Sequence, residues 1–401
     1  MPRFFPFPAL RYAPGSDLSA VTAPPYDVLS EADVTALAAR DPHNIVHVDV
    51  PSGDPGSYEA AAATLREWVR TGVLVRDERP SFTIYRMRFT DPTGATRQTS
   101  GVLGALGVYD YAEQQVLPHE RITPKASTDR LDLTRATRAN LSPVWGLSLA
   151  EGLTAALEKP GEPVGILTED GVTHIVERVT DPARLAAIEQ IVARDAVLIA
   201  DGHHRYGVAQ TYRAEREAAA DPGGADTTLA FLNELVADQL SVAAIHRLYA
   251  GVPFADLRVA LAACFDLSPG PSPDAAALRR MDESGRLLLV APDGSTEWLA
   301  PRADAFDGVR DLDGARLERA LDGLDAHVTY QHGVAEVVEA LSGGRFSAAV
   351  LIRPTSVAEI VTTAREGLLM PPKSTFFTPK LQTGLTIREI AQPSQVDNPS
   401  R

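Results

Sequence analysis

The apolar positions of the chain follow two rhythms. They recur every three to four residues over Glu31–Arg40, Tyr58–Arg70, Asp181–Arg194 and Arg205–Ala219, the period of a helix that buries one face. They alternate, or gather into short β-branched blocks, over Asn44–Val50, Val164–Leu167 and Ala196–Ala200, which predicts strands. The runs SFTIYRMRF and RQTSGVLGALGVY flank the turn DPTGA (Asp91–Ala95), as the arms of a hairpin do. After Gly251 the rhythms interleave. Helices are predicted over Phe254–Phe265, Gly314–Leu324, Val334–Leu341 and Val357–Arg365, and strands over Arg286–Ala291, Thr296–Ala300, His327–Tyr330 and Ser347–Ile352. Strands that run straight into helices in both halves predict an α/β (or α+β) fold. The pattern divides the chain into one α/β region over residues 1–250 and a second over 251–401, with SPGPSPDA near 268–275 as its most linker-like stretch.

Composition narrows the class. Hydrophobic residues make up 44% of the 401, enough for a large core. A net charge of -15 argues against a surface that grips nucleic acid or an anionic membrane, while leaving room for a local basic pocket. A single cysteine, Cys264, excludes an internal disulfide and a thiolate metal cluster. The opening MPRFFPFPALRYAP lacks the unbroken apolar run of a signal peptide, and no run reaches membrane-spanning length. The expectation is a cytoplasmic protein with a small-molecule partner, and the sequence leaves its oligomeric state open.

The densest chemistry lies in VLIADGHHRYGVAQTYRAERE (Val197–Glu217), where a buried strand meets a helix. Gly202 suits a turn that needs positive φ. The helix start at His203 offers backbone N–H groups and a positive dipole end, and Arg205 adds a bidentate anion donor. Asp201 sits at the carboxyl edge of the strand, where open α/β sheets bind ligands. These groups make a phosphate cradle that is neither GxxxxGK[ST] nor GxGxxG. The plainer reading, Asp201 as a helix N-cap with packed histidines, has to explain why like charges crowd together.

Three further segments carry polar groups. LPHERITPKASTDR (Leu117–Arg130) reads as a charged loop holding His119, Glu120, Lys125, Asp129 and Arg130. It is no zinc-protease HExxH, because Thr123 stands where the second histidine belongs. Its carboxylate suits a general base beside phosphate-neutralising cations. MPPKSTFFTPKLQTGL (Met370–Leu385) sets Lys373, Ser374, Thr375 and Lys380 around two phenylalanines, fit for phosphate oxygens and a stacked base, or for a plain terminal hairpin. VTAPPYDVLS and the following DPHNIVHVDV place Tyr26, Asp27, His43 and His47 near stiff proline backbone, and structural roles fit these best.

Together APPYDV, NIVHVD, LPHE with its nearby lysine and Asp-Arg, ADGHHRY and MPPKSTFFTPKLQTGL resemble the bacterial and archaeal domain of unknown function 1015 family along nearly the whole chain. The loop departs from the family's usual HERT by the inserted Ile122, which weakens any role for Thr123. DGHHR between strand and helix is also similar to the signature of the ParB/sulfiredoxin-like fold and its free-serine kinases. That likeness implies a ParB/sulfiredoxin-like catalytic core. Asp201, Gly202, His203, His204 and Arg205 would hold nucleotide phosphates, and a glutamate, here Glu120, would act as base. It further implies ATP or ADP as donor, with Mg²⁺ held by the phosphates and by few protein ligands such as Asp201. The expected function is a phosphotransferase acting on free serine. His119 or His204 would serve as acid in the alternative of a phosphoserine phosphatase. A nucleotide-binding regulatory or DNA-binding module is the third alternative, disfavoured by the acidic charge.

Overall fold

The computed structural model describes residues 1–390 apart from 55, 92–94, 119–126 and 372. Among the described residues, 1–118, 127–240 and 379–390 form one compact unit and Ser241–Thr378 a second.

The first unit is built on a mixed sheet. In chain order its strands are β1 Phe4–Phe5, β2 Phe82–Thr90, β3 Thr96–Gly107, β4 Val116–Leu117, β5 Val144–Ser148, β6 Glu162–Glu169, β7 Val172–Val179, β8 Val197–Asp201 and β9 Thr227–Glu234. Across the sheet they run β4-β8-β5-β9-β3-β2-β7-β6, with β1 pairing β3. The predicted hairpin is β2–β3, in register from Thr83↔Leu103 to Thr90↔Thr96. Asp91 closes its turn by accepting the Ala95 N–H at 3.0 Å. Both arms are apolar at successive positions because both faces are covered, as the fully buried Phe82, Ile84, Tyr85 and Met87 record.

Asn44–Val50 is not a strand. Val46–Asp49 forms one helical turn, α1. Asn44 forces the reversal: its Oδ1 accepts the Val46 N–H at 3.1 Å, and its Nδ2 donates to Ala20 O at 2.7 Å and Thr22 O at 3.1 Å. A local side-chain bond of this kind competes with a sheet ladder and wins here.

The second unit holds an antiparallel six-stranded sheet. Its strands are β10 Ile245–Ala250, β11 Phe265–Pro269, β12 Leu287–Val290, β13 Thr296–Pro301, β14 His327–His332 and β15 Ala348–Leu351, in the order β11-β13-β12-β15-β10-β14. Alternate residues of β12 face opposite cores: Leu287 and Leu289 join Leu261 and Phe265, while Leu288 and Val290 join Met281 and Val337. SPGPSPDA is no linker. Ser268 and Pro269 end β11, paired with Trp298 and Glu297, and Asp274 caps helix Ala275–Ser284. Its prolines fit because β11 is an edge strand, where a missing N–H costs no ladder bond.

Each unit buries one histidine on a strand, His174 on β7 and His246 on β10, each 1% exposed. Burial pushes both imidazoles down from 6.5 to about 4. A depressed folded value means that the unfolded chain takes up the proton first as pH falls. Stability is therefore whole above pH 6.5 and is lost between there and pH 4, by roughly 3 kcal/mol per histidine. Urea unfolding at pH 7 and pH 4 should show this loss, and His174→Phe and His246→Phe should each flatten the profile. A flat wild-type profile would refute the assignment.

Candidate functional site

The site grows from the end of β8. Val197, Leu198 and Ile199 are fully buried, and the strand is clamped by β4 in parallel on one side and β5 antiparallel on the other. Asp201 therefore leaves the sheet at a fixed point. Gly202 follows in the left-handed region (φ 85°), and helix α3, His203–Ala218, begins behind it. (Helix α2 is Ser127–Thr137, described below.) The cap residue is Gly202, with no side-chain cap bond, so Asp201 is not spent on capping.

Asp201 binds two cations instead. Arg205, one turn into α3, folds back to place Nη2 2.9 Å from Oδ2, and Lys380 Nζ lies 3.1 Å from Oδ1. Arg205 Nη1 also donates to the Pro143 carbonyl. Burial alone would raise the Asp201 pKa, but Lys380, then Arg205, then His203 outweigh it and hold the carboxyl at about 2. Burial opposes the Arg205 charge, yet Asp201, Asp27, Tyr26 and Asp49 keep its pKa above the ordinary value. Gly202 makes the fold-back possible: a Cβ there would stand 3.0 Å from Arg205 Cζ. Gly202→Ala should cost about 1–2 kcal/mol of stability from the strained φ and turn the guanidinium away from Asp201. Thermal unfolding together with phosphate titration would measure both effects, and an alanine variant of native stability and affinity would refute them.

A second cationic group adjoins Arg205. Arg130 lies in the first turn of α2, so this part of the predicted charged loop is helical. Its guanidinium covers the Tyr26 ring at 4.3 Å, donates to the Asp49 carbonyl at 2.6 Å and pairs with Asp129 at 2.7 Å. Asp49 is 3% exposed, and burial raises its pKa against the pull of Arg130 and Arg205. Asp49, Arg130 and Arg205 line one narrow cavity of about 50 Å³, room for a few waters and too small for a nucleotide.

The family model for "Protein of unknown function (DUF1015)" matches residues 4–324. The chain belongs to this family. No curated protein matches this DUF1015 chain in sequence. Solved structures with similar coordinates include a conserved hypothetical protein from Pyrococcus furiosus, 11% identical, with a TM-score of 0.38 over 71% of this chain and 95% of that one. A free serine kinase in complex with AMP is 11% identical, with a TM-score of 0.39 over 72% and 92%. SbnI from Staphylococcus aureus, with a C-terminal truncation, is 13% identical, with a TM-score of 0.39 over 74% and 90%.

In the DUF1015 chain the first unit brings together Asp201, Gly202, His203, Arg205 and Lys380, with Arg130 beside Arg205. His204 is half-buried in the first turn of α3. Lys373, Ser374 and Thr375 belong to the second unit. There Lys373 is exposed with φ 57°, Ser374 Oγ donates to the Pro371 carbonyl at 2.7 Å, and Thr375 is buried. The MPPKSTFFTPKLQTGL motif is thus divided after Thr378. Its second part belongs to the first unit, where Thr383 pairs with Ala23, and Ile387 just beyond the motif pairs with Leu10. His119, Glu120 and Lys125 lie outside the described residues. Tyr26 and Asp27, for which sequence reasoning favours structural roles, act electrostatically on Arg205, as does Asp49, which that reasoning does not single out; all three lie in APPYDV and NIVHVD. No group of three or more His, Cys, Asp or Glu among the described residues could hold a metal. Both Asp201 oxygens are engaged by cations, so Asp201 does not fit as a ready-made metal ligand. No helix among the described residues is long and apolar enough to cross a membrane.

Proposed function

We propose that the protein is a small-molecule phosphotransferase, a kinase that moves a phosphoryl group from ATP or ADP to the hydroxyl of free L-serine and releases O-phosphoserine. The observation that carries this reading is Asp201 held between Arg205 and Lys380 at the junction of a buried strand and a helix. Arg205 and Lys380 meet at a helix N-terminus, the kind of donors and the setting that bind phosphate oxygens. In this reading Asp201 orients Arg205 and Lys380, and Gly202 and His203 bring the helix end close to the phosphates. Arg130 and Lys125 would add to charge neutralisation and phosphate binding. A carboxylate then takes the serine hydroxyl proton as the new P–O bond forms and the bond to the leaving nucleotide breaks. We assign Glu120 as the base; in the phosphatase alternative His119 or His204 would protonate the leaving oxygen. Mg²⁺ would come with the nucleotide, since its octahedral shell is met mainly by phosphates and water.

The test is direct. The protein is incubated with serine, Mg²⁺ and ATP, ADP or pyrophosphate, and separately with phosphoserine alone. Phosphoserine formed only with a donor is the expected result. Phosphate released from phosphoserine without a donor would make the protein a phosphatase. Neither product would leave a nucleotide-binding regulatory module.

A further inference from the structure

One cavity of the first unit has no role in the reading above. It measures about 480 Å³, and its lining includes Pro24, Val28, Leu29 and Leu37 together with His174 and Lys380. That volume falls within the roughly 300–1,000 Å³ typical of small-molecule pockets. Lys380 ties it to the phosphate cluster, because the same side chain lies 3.1 Å from Asp201 Oδ1.

The remaining polar groups define what the cavity accepts. Asp33, Glu169 and Asp170 also line it, so away from Lys380 it repels an anion. Arg40 is committed to Glu169 at 3.0 Å and to the Ser19 carbonyl at 2.9 Å. His174 is a neutral imidazole at neutral pH, because burial lowers its pKa to about 4. It is anchored through Nδ1, 2.6 Å from the Tyr85 hydroxyl, which also accepts the Gln382 N–H at 3.1 Å. A fitting ligand has a neutral, largely apolar body, hydroxyl or amine donors for the carboxylates, and negative charge at one end only. Free serine carries its charge throughout and would leave most of the volume empty. A nucleoside with phosphates at one end meets every term.

We propose that this cavity holds the nucleoside of the phosphate donor, with its phosphates leaving past Lys380 towards Asp201 and Arg205; the proposal rests on the phosphotransferase reading. The test fills the cavity from its exposed edge, where folding is least at risk. Val28 is 41% exposed, and Ala36 is exposed on helix Glu31–Arg40 and also lines the cavity. Val28→Trp and Ala36→Trp are titrated with ADP and with pyrophosphate by calorimetry, with thermal melts to confirm folding. The expected result is ADP binding at least about tenfold weaker in both variants, with pyrophosphate affinity within about twofold of wild type, since a filled apolar pocket denies contacts only to the nucleoside. ADP bound equally well by wild type and both variants overturns the proposal and leaves the phosphate cluster standing. Equal weakening of both ligands also overturns it, by placing the damage at the cluster. A wild-type protein that binds neither ligand removes the phosphotransferase reading and this proposal together.

Discussion

An Asp201→Asn protein is expected to lose about 3 kcal/mol of stability at neutral pH and most of its affinity for nucleotide. The first loss follows from what asparagine leaves behind. Arg205 and Lys380 would face each other without the charge that compensates both, and breaking a buried pair from one side typically costs roughly 3–5 kcal/mol. The low end applies because the Asp201 side chain keeps 23% of its surface. The second loss follows from geometry, since Arg205 is held over Gly202 by this carboxylate. The pH dependence gives an independent check. The Asp201 carboxyl is held at about 2 against an ordinary 3.8, so its contribution is present above pH 3.8 and lost as pH falls towards 2. That window lies below the one set by the histidines. Chemical unfolding at pH 7 and ADP titration of the variant measure both effects, and a variant with native stability would show that the pair is incidental.

Glu120→Gln keeps the side chain's shape and removes its ability to take a proton. If Glu120 is the base, turnover should fall by roughly 10²–10⁴ with donor affinity almost unchanged. Asp27→Asn is the comparison, because the charge of Asp27 acts on Arg205 from the APPYDV segment and makes it the competing carboxylate. Steady-state kinetics of both variants against varied donor decide between them. A Glu120→Gln enzyme with near-normal turnover ends the assignment, and a 10²-fold loss confined to Asp27→Asn transfers the role.

Much of the architecture was legible because the apolar spacing is strong. The β2–β3 hairpin, the strand ending at Asp201 and the helix behind it follow from period and turn chemistry alone. Val46–Asp49 was not legible, since alternating valines satisfy a strand pattern, and Asn44, whose Oδ1 accepts the Val46 N–H, is held for that bond by its long-range bonds to Ala20 and Thr22. Asp201, Gly202, His203 and Arg205 could be read from one motif because they are neighbours in sequence. Their partners could not. Lys380 lies 179 positions from Asp201, and Tyr26, Asp49 and Arg130 reach Arg205 from three separate segments. Sequence spacing carries no information about such encounters, and the proline-rich context of Tyr26 and Asp27 reads equally well as scaffolding.

The return of residues 379–390 to the first unit has a consequence for biosynthesis. The strand that bears Asp201 is complete long before Lys380 is translated, because all of Ser241–Thr378 comes between them. At roughly 5–20 residues per second this delay is on the order of 10 s. Through that interval a nascent chain has the acid and arginine of its cluster but not the lysine, and lacks the strand bonds that Thr383 and Ile387 make to Ala23 and Leu10. The cluster around Asp201 is thus finished only after the second unit has been synthesised, so a ribosome that stalls within that unit leaves a chain whose cluster lacks its lysine.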